Sequence, residues 1–545
     1  MNETIGGTLI RRLGEEGVGH VFGVPGDYVL TFFKEMEKSQ LKIINTSDEQ
    51  GAGFAADAYA RVKGLGVACI TYCVGGLKIA NAVGQAYAER SPVVIISGAP
   101  GTRERRNTLL HHTVRSFDTQ ARVFAELTAA SAILDDPETA AAEIDRVLAV
   151  CRRTSRPVYI EIPRDMVLAE ASPAKRRAPA PETSDPEVLA QAVAEATARM
   201  ERAARPVILA GEELHRFRLQ PALADLAARS GIPVAATIMG KSVFPESNPA
   251  YIGVYEGAMG REATRATVEA SDCLILLGAM MTDMNLGIYT ARIDRGHAVY
   301  AASDRVSVGL ATYDGVGMAD FIAALAAHPW KARPAAGGYD HPQHPGPFTA
   351  SDKPMTTAAL FRQVNAFLTD DDVVVADTGD SLFGAADLYI HDGAHFLGAA
   401  YYCSLGFAVP AALGVKAAAP NLRPIVLVGD GAFQMTGMEL SAVARYRQNP
   451  IVIVLDNDGY GTERPMLDGA FNDVQRWNYA RLPDVLGAGL GLKVTTEMEL
   501  EAALKQARAN TASFTIIQVM LDRNDHSPAL LRLTQTLAER VARKS

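Results

Sequence analysis

Two short motifs in the last quarter of this 545-residue chain place hard oxygen donors at the ends of neighbouring apolar runs. Gly429-Asp430-Gly431 follows PIVLV, and Asp456-Asn457-Asp458-Gly459 follows IVIVL, with 24 residues (432–455) between the motifs. Together they offer a carboxylate, an amide oxygen and nearby backbone carbonyls. That donor set suits Mg²⁺, which takes oxygen ligands and commonly bridges protein carboxylates to phosphates. The glycines let the backbone approach a diphosphate, and nearby helix N-termini favour its negative charge. Either motif alone reads equally as a strand-terminating turn. The pair, each closing a predicted strand, predicts a metal–diphosphate site.

Other residues have the chemistry to move protons. Glu49 follows KIINT and opens the helical pattern of SDEQGAGFAADAYARVKG (47–64), with Asp48 beside it. VFGVPGDY (21–28) sets Asp27 just past a predicted strand and a Pro-Gly turn. LLHHT (109–113) supplies His111 and His112, and GYGTER (459–464) supplies Glu463. Histidines and a carboxylic acid of raised pKa transfer protons near neutral pH. Taken singly, the acids read as helix-end or loop residues and the histidine pair as structural.

The elements that must position these groups follow from the alternation of β-branched runs with helical patterns, which predicts parallel sheets covered by helices. Predicted strands are 21–24, 42–46, 67–72, 92–98 and 157–163, then 206–211, 233–238 and 273–278, then 373–377, 424–430, 451–457 and 514–521. Two Pro-rich stretches, 171–186 and 333–354, read as linkers. Three α/β domains of doubly wound parallel sheets result, over 1–175, 187–335 and 355–545. In such sheets the chemistry belongs at the carboxyl ends of strands.

With 48% hydrophobic and 21% charged residues, the chain reads as soluble and globular. Its net charge of −9 is spread along the sequence, so nucleic acid is not an expected partner. No apolar run reaches the length of a membrane span, and the N-terminus reads as an amphipathic helix rather than a signal peptide. Five scattered cysteines without metal-ligand spacing fit a reducing cytoplasm.

GDG followed by about two dozen residues and an Asn-containing turn resembles the fingerprint of thiamin-diphosphate enzymes. The resemblance implies thiamin diphosphate and Mg²⁺ as cofactors, with Asp430, Asn457 and the Gly459 carbonyl as metal ligands. Its first Asn is Asp456 here. The 47–64 segment is similar to the stretch carrying the acid that contacts N1′ of the aminopyrimidine, and this ranks Glu49 above Asp48. The segments bearing Asp27, His111, His112 and Glu463 resemble the catalytic segments of pyruvate and indolepyruvate decarboxylases. The family thus implied is the 2-oxo acid decarboxylases, which release an aldehyde and CO₂ from a small-molecule 2-oxo acid. The three domains become a pyrimidine-binding, a central and a diphosphate/Mg-binding domain.

By the same resemblance, cofactor contacts fall on Thr378, Asp380, Ser404, Leu405, Gly429, Asp430, Gly431, Ala432, Asn457, Gly459, Tyr460 and Gly461. Leu405 matches the aliphatic residue that holds the cofactor bent. Departures from the yeast-type pattern are Asp380 for a Thr, Cys73 and Cys403 for glycines, and Lys78 for a small polar residue. Asp380, GDGAFQMTG (429–437), Tyr401-Tyr402 and AFND (470–473) are instead similar to the bacterial phenylpyruvate decarboxylase branch. Thr462 and Met284 match larger or stiffer residues of pyruvate-specific relatives, while Leu382 matches a smaller one. The implied substrate is aromatic or a larger aliphatic 2-oxo acid. Alternatives are a carboligase, which resembles this chain in fold but usually binds FAD, and a benzoylformate-type decarboxylase, whose histidines are widely separated. The resemblance also implies a homodimer or homotetramer with active sites between subunits.

Overall fold

The alternating pattern resolves into three sheets. They are seen in a computed structural model that describes residues 3–106, 109–172, 183–331, 333 and 344–542. The first sheet comprises β1 (His20–Gly23), β2 (Lys42–Asn45), β3 (Gly66–Ile70), β4 (Val93–Ala99), β5 (Ser131–Ile133) and β6 (Val158–Pro163), in the order β2-β1-β3-β4-β6-β5. All its pairings are parallel. The central sheet holds β7 (Pro206–Ala210), β8 (Val234–Ala236), β9 (Tyr251–Val254), β10 (Cys273–Leu277), β11 (Val299–Ala302), β12 (Arg305–Val308) and β13 (Ala311–Tyr313), ordered β13-β12-β11-β10-β7-β8-β9. The last sheet holds β14 (Asp372–Ala376), β15 (His395–Gly398), β16 (Arg423–Gly429), β17 (Ile451–Asp456), β18 (Leu490–Val494) and β19 (Thr515–Met520), ordered β15-β14-β16-β17-β19-β18 and parallel throughout.

The fold is α/β, as the sequence pattern predicts. Every predicted strand has a counterpart displaced by no more than a residue or two. The strands not predicted are mostly short or at sheet edges. β5, β15 and β18 end their sheets, and β18 is only half buried, so no continuous apolar run marks it. The central sheet departs from a purely parallel one, because β12 and β13 return antiparallel beside β11. Positions 173–182 and 334–343 of the two predicted linkers lie outside the described residues.

The first and last sheets are joined by one apolar core. Helix Glu49–Lys63 starts at Asp48, whose side chain accepts a hydrogen bond from the Gly51 amide at 2.7 Å, and ends at Gly64 in the left-handed region (φ +108°). It packs on helix Ala408–Ala418, and both belong to the same buried cluster as Phe54, Phe407 and Val426. Both contacting faces are rich in alanine, and a Cβ on Gly414 would collide with the Ala55 backbone, so small residues permit the close approach. Among the described residues, no helix is long and apolar enough to cross a membrane.

Candidate active site

In the last sheet the strand order reverses between β14 and β16, the kind of switch point where ligands bind in open α/β sheets. A cleft opens there. It is lined by Thr378–Ser381 after β14, by Leu405, by Gly429–Ala432 after β16, and by Leu455, Asn457 and Gly459–Thr462 around the end of β17. Of the twelve sequence-selected cofactor contacts, all but Ser404 line it, and Ser404 instead accepts a hydrogen bond from Asn81 of the first domain at 2.7 Å.

Asp430 opens the helix Asp430–Thr436 and is almost fully buried. Its carboxylate accepts hydrogen bonds from the Gly431 and Gly459 amides, at 2.7 and 3.0 Å. Burial pushes the carboxyl up to about 7, against the pull of those amides. Gly459 has φ +133°, and a Cβ there would collide with the Asn472 carbonyl, so this turn requires glycine. Asn457 is also buried, and its Oδ1 has no hydrogen-bond partner. An orphaned buried carbonyl oxygen is costly unless something absent here satisfies it. A carboxylate and an unpartnered amide oxygen on one cleft fit a hard divalent cation.

Asp380, the anomalous acid, lines the same cleft. One oxygen accepts the Ser527 amide at 2.7 Å, the other has no partner, and burial raises its pKa. It thereby ties the cleft to the segment that leads into helix Pro528–Ala542. Cys73 and Cys403 both have positive φ (+51° and +58°), which accounts for glycine at these positions in the resembling family and leaves the two cysteines strained; nothing in the structure explains the cysteines themselves.

A second constellation sits at the equivalent reversal of the first sheet, between β1 and β3. His111 Nε2 lies 2.7 Å from Asp27 Oδ2, and the Tyr28 ring stacks on His111 with centroids 5.0 Å apart. His112, at φ +68°, has a buried Nδ1 without a partner, and its ring meets that of His111 edge-on at 4.7 Å. Three groups able to carry protons are therefore convergent here. Glu49 begins its helix beyond β2, 3.6 Å from Lys78 Nζ, which also reaches Asp48 at 3.5 Å. None of these first-sheet residues lines the last-sheet cleft. Glu463 follows the cleft residue Thr462 and is exposed. Thr462 is the one selected substrate-pocket residue on the cleft. Leu382 is fully buried in the core cluster of Phe361 and Phe396, and Met284 lies half-buried between β10 and β11.

Sequence reasoning missed two carboxylates that hold the site's loops. Asp377, fully buried at the end of β14, accepts the Gly406 and Ala408 amides at 2.9 and 2.8 Å and so fixes the loop bearing Leu405. Glu439, buried within the helical segment after GDG, accepts the Ser47 and Asp48 amides at 3.0 and 3.1 Å. It thus clamps the turn that presents Glu49. Burial pushes both acids up to about 7. A methyl on Gly51 would strike the Glu439 carboxylate. Gly51→Ala is therefore expected to destabilise the chain by about 1–3 kcal/mol, measured by thermal unfolding. An unchanged melting temperature would remove this clamp.

Three family descriptions match the chain in order: "Thiamine pyrophosphate enzyme, N-terminal TPP binding domain" over residues 3–121, the central domain over 193–325, and the C-terminal TPP binding domain over 377–519. The chain is 40% identical over 535 residues to the "Indole-3-pyruvate decarboxylase" of Azospirillum brasilense, covering 97% of each. It is 34% identical over 550 residues to an "Alpha-keto-acid decarboxylase" of Mycolicibacterium paratuberculosis, covering 98% of this chain and 96% of that one. It is 33% identical over 546 residues to "Pyruvate decarboxylase 1" of Pisum sativum, covering 97% and 92%.

Proposed function

The chain belongs to the thiamin-diphosphate-dependent 2-oxo acid decarboxylases, and from that premise we propose how its residues divide the work and which substrate they favour. The observation that carries the cofactor assignment is the unpartnered Asn457 Oδ1 beside Asp430. Asp430, Asn457 and the Gly459 carbonyl would hold Mg²⁺ and, through it, the diphosphate. Leu405 supports the cofactor from the side. When bound, thiamin diphosphate supplies the nucleophilic C2 and the electron sink for decarboxylation.

Glu49 holds a proton at N1′ of the aminopyrimidine. Asp27, His111, His112 and Glu463 orient the substrate carboxylate and deliver the proton that completes the aldehyde. The short Asp27–His111 contact fixes one imidazole, while His112 Nδ1 is left free to exchange a proton.

The cleft in one chain lacks every first-sheet residue, which supports a site completed between two subunits. Exposed Val74 and Leu77 near Glu49, and exposed Tyr401, Tyr402, Met435 and Met438 near the cleft-lining loops, are apolar surface of the kind a second copy covers. A dimer is the minimum active unit, and a dimer of dimers is compatible with closed symmetry.

For the substrate, Thr462 lines the cleft beside Gly379, and the Azospirillum relative is named for an indolyl substrate. We assign an aromatic or larger aliphatic 2-oxo acid. The test is aldehyde release from pyruvate, phenylpyruvate, indolepyruvate, branched 2-oxo acids and benzoylformate. Pocket volume discriminates by roughly 10–200-fold, so kcat/KM for phenylpyruvate or indolepyruvate should exceed that for pyruvate by about tenfold or more. A preference for pyruvate overturns the assignment. Chelation of Mg²⁺ with removal of the cofactor should abolish aldehyde formation, and adding both back should restore it.

A further inference from the structure

Asp456 is a carboxylate with no exposed surface, one residue before a proposed metal ligand. A buried charge in that position has three possible fates. It can join the metal, take up a proton, or be neutralised by a cation. The geometry points to the third. Asp456 Oδ1 accepts a hydrogen bond from Arg476 Nε at 3.0 Å, and its Oδ2 accepts one from Gln518 Nε2 at 2.6 Å. Both oxygens are therefore turned to the side of β19 and the 475–479 segment. Asn457 Oδ1 alone of this turn's side-chain oxygens is buried without a partner.

The 475–479 segment is itself anchored to the diphosphate motif. Gln434, in the helix opened by Asp430, donates from Nε2 to the Gln475 carbonyl at 2.7 Å and to Tyr479 Oη at 2.9 Å. Arg476 Nη2 also lies 3.8 Å from Asp458 Oδ1, so one guanidinium faces both acids that flank Asn457.

We propose that Arg476 is a positioning residue for the metal-binding turn: by neutralising Asp456 it keeps that carboxylate off the cation site and leaves Asn457 as the donor. The inference rests on the reading of this cleft as the Mg²⁺–diphosphate site. The pair is asymmetric. Arg476 is 42% exposed and can be solvated alone, whereas Asp456 cannot. Losing the acid should therefore be tolerated, and losing the base should not. An uncompensated carboxylate beside the site would repel the diphosphate or compete for the cation.

The experiment measures thiamin diphosphate binding at saturating Mg²⁺ by intrinsic fluorescence, for which Trp477 adjoins Arg476. Asp456→Asn should bind within a few-fold of the parent. Arg476→Met should bind roughly tenfold or more weakly, and Arg476→Lys should recover part of the loss. The double variant Asp456→Asn/Arg476→Met should return to within a few-fold of the parent. If Arg476→Met binds normally, or the double variant stays as weak as the single, the proposal is overturned. Should Arg476→Met fail to fold, a folded and binding double variant supports the proposal, and a double variant that also fails to fold overturns it. Absence of Mg²⁺-dependent binding by the unmodified chain would instead refute the reading of the cleft.

Discussion

Glu49→Gln is expected to bind thiamin diphosphate and Mg²⁺ and to lose turnover by about 10²–10⁴-fold, the range over which a positioned proton-transfer group contributes. The amide keeps the size of the carboxyl and can still form a hydrogen bond, but has no proton to share with N1′. In the isolated chain Glu49 sits in the first turn of its helix, 3.6 Å from the Lys78 ammonium. Asp48 is the internal control. It caps the helix through the Gly51 amide, a task asparagine performs equally well, so Asp48→Asn should turn over near normally. The two acids are neighbours, and the sequence alone leaves them as rivals. Steady-state aldehyde release beside a cofactor titration separates them. Near-normal turnover of Glu49→Gln removes it from catalysis, and a collapse in Asp48→Asn alone would transfer the role.

Which features could be read in advance follows from the range of the forces behind them. Asp430 and Asn457 were legible because motif, strand end and glycine turn are local, and the buried strands β14, β16, β17 and β19 carry continuous apolar runs. β15 and β18, at the sheet edges, lack such runs and went unseen. Glu439 and Asp377 were missed for another reason. Each acts by accepting backbone amides from residues distant along the chain or across a loop, and nothing in the neighbouring residues announces that partner. Arg476 belongs to the same class, since its meaning depends on a carboxylate 20 residues away. The cysteines at 73 and 403 show the converse. The sequence registers an oddity there, and only the backbone angle shows that it carries strain.

Asp430→Asn should lose Mg²⁺-dependent cofactor retention and with it essentially all activity, because a hard cation gives up its only charged protein ligand in the cleft triad. The same variant tests how the site is assembled. If Glu49 and Asp430 serve one cofactor within a single chain, mixing Glu49→Gln with Asp430→Asn subunits leaves every site broken. If they meet across an interface, each mixed dimer holds one site with both lesions and one with neither. Random reassociation of equal amounts, after reversible dissociation, then restores about a quarter of the parental activity from two inactive proteins. The controls are the two single variants, each of which should stay inactive whatever the time or concentration, so that structural repair does not mimic the result. The cleft itself argues for the second outcome: all its lining residues lie between 378 and 462, while Glu49, Asp27 and both histidines stand on the first sheet. No recovery in verified mixed dimers would place the whole site in one chain and require the first sheet to move against the last, through the shared core around Phe54 and Phe407.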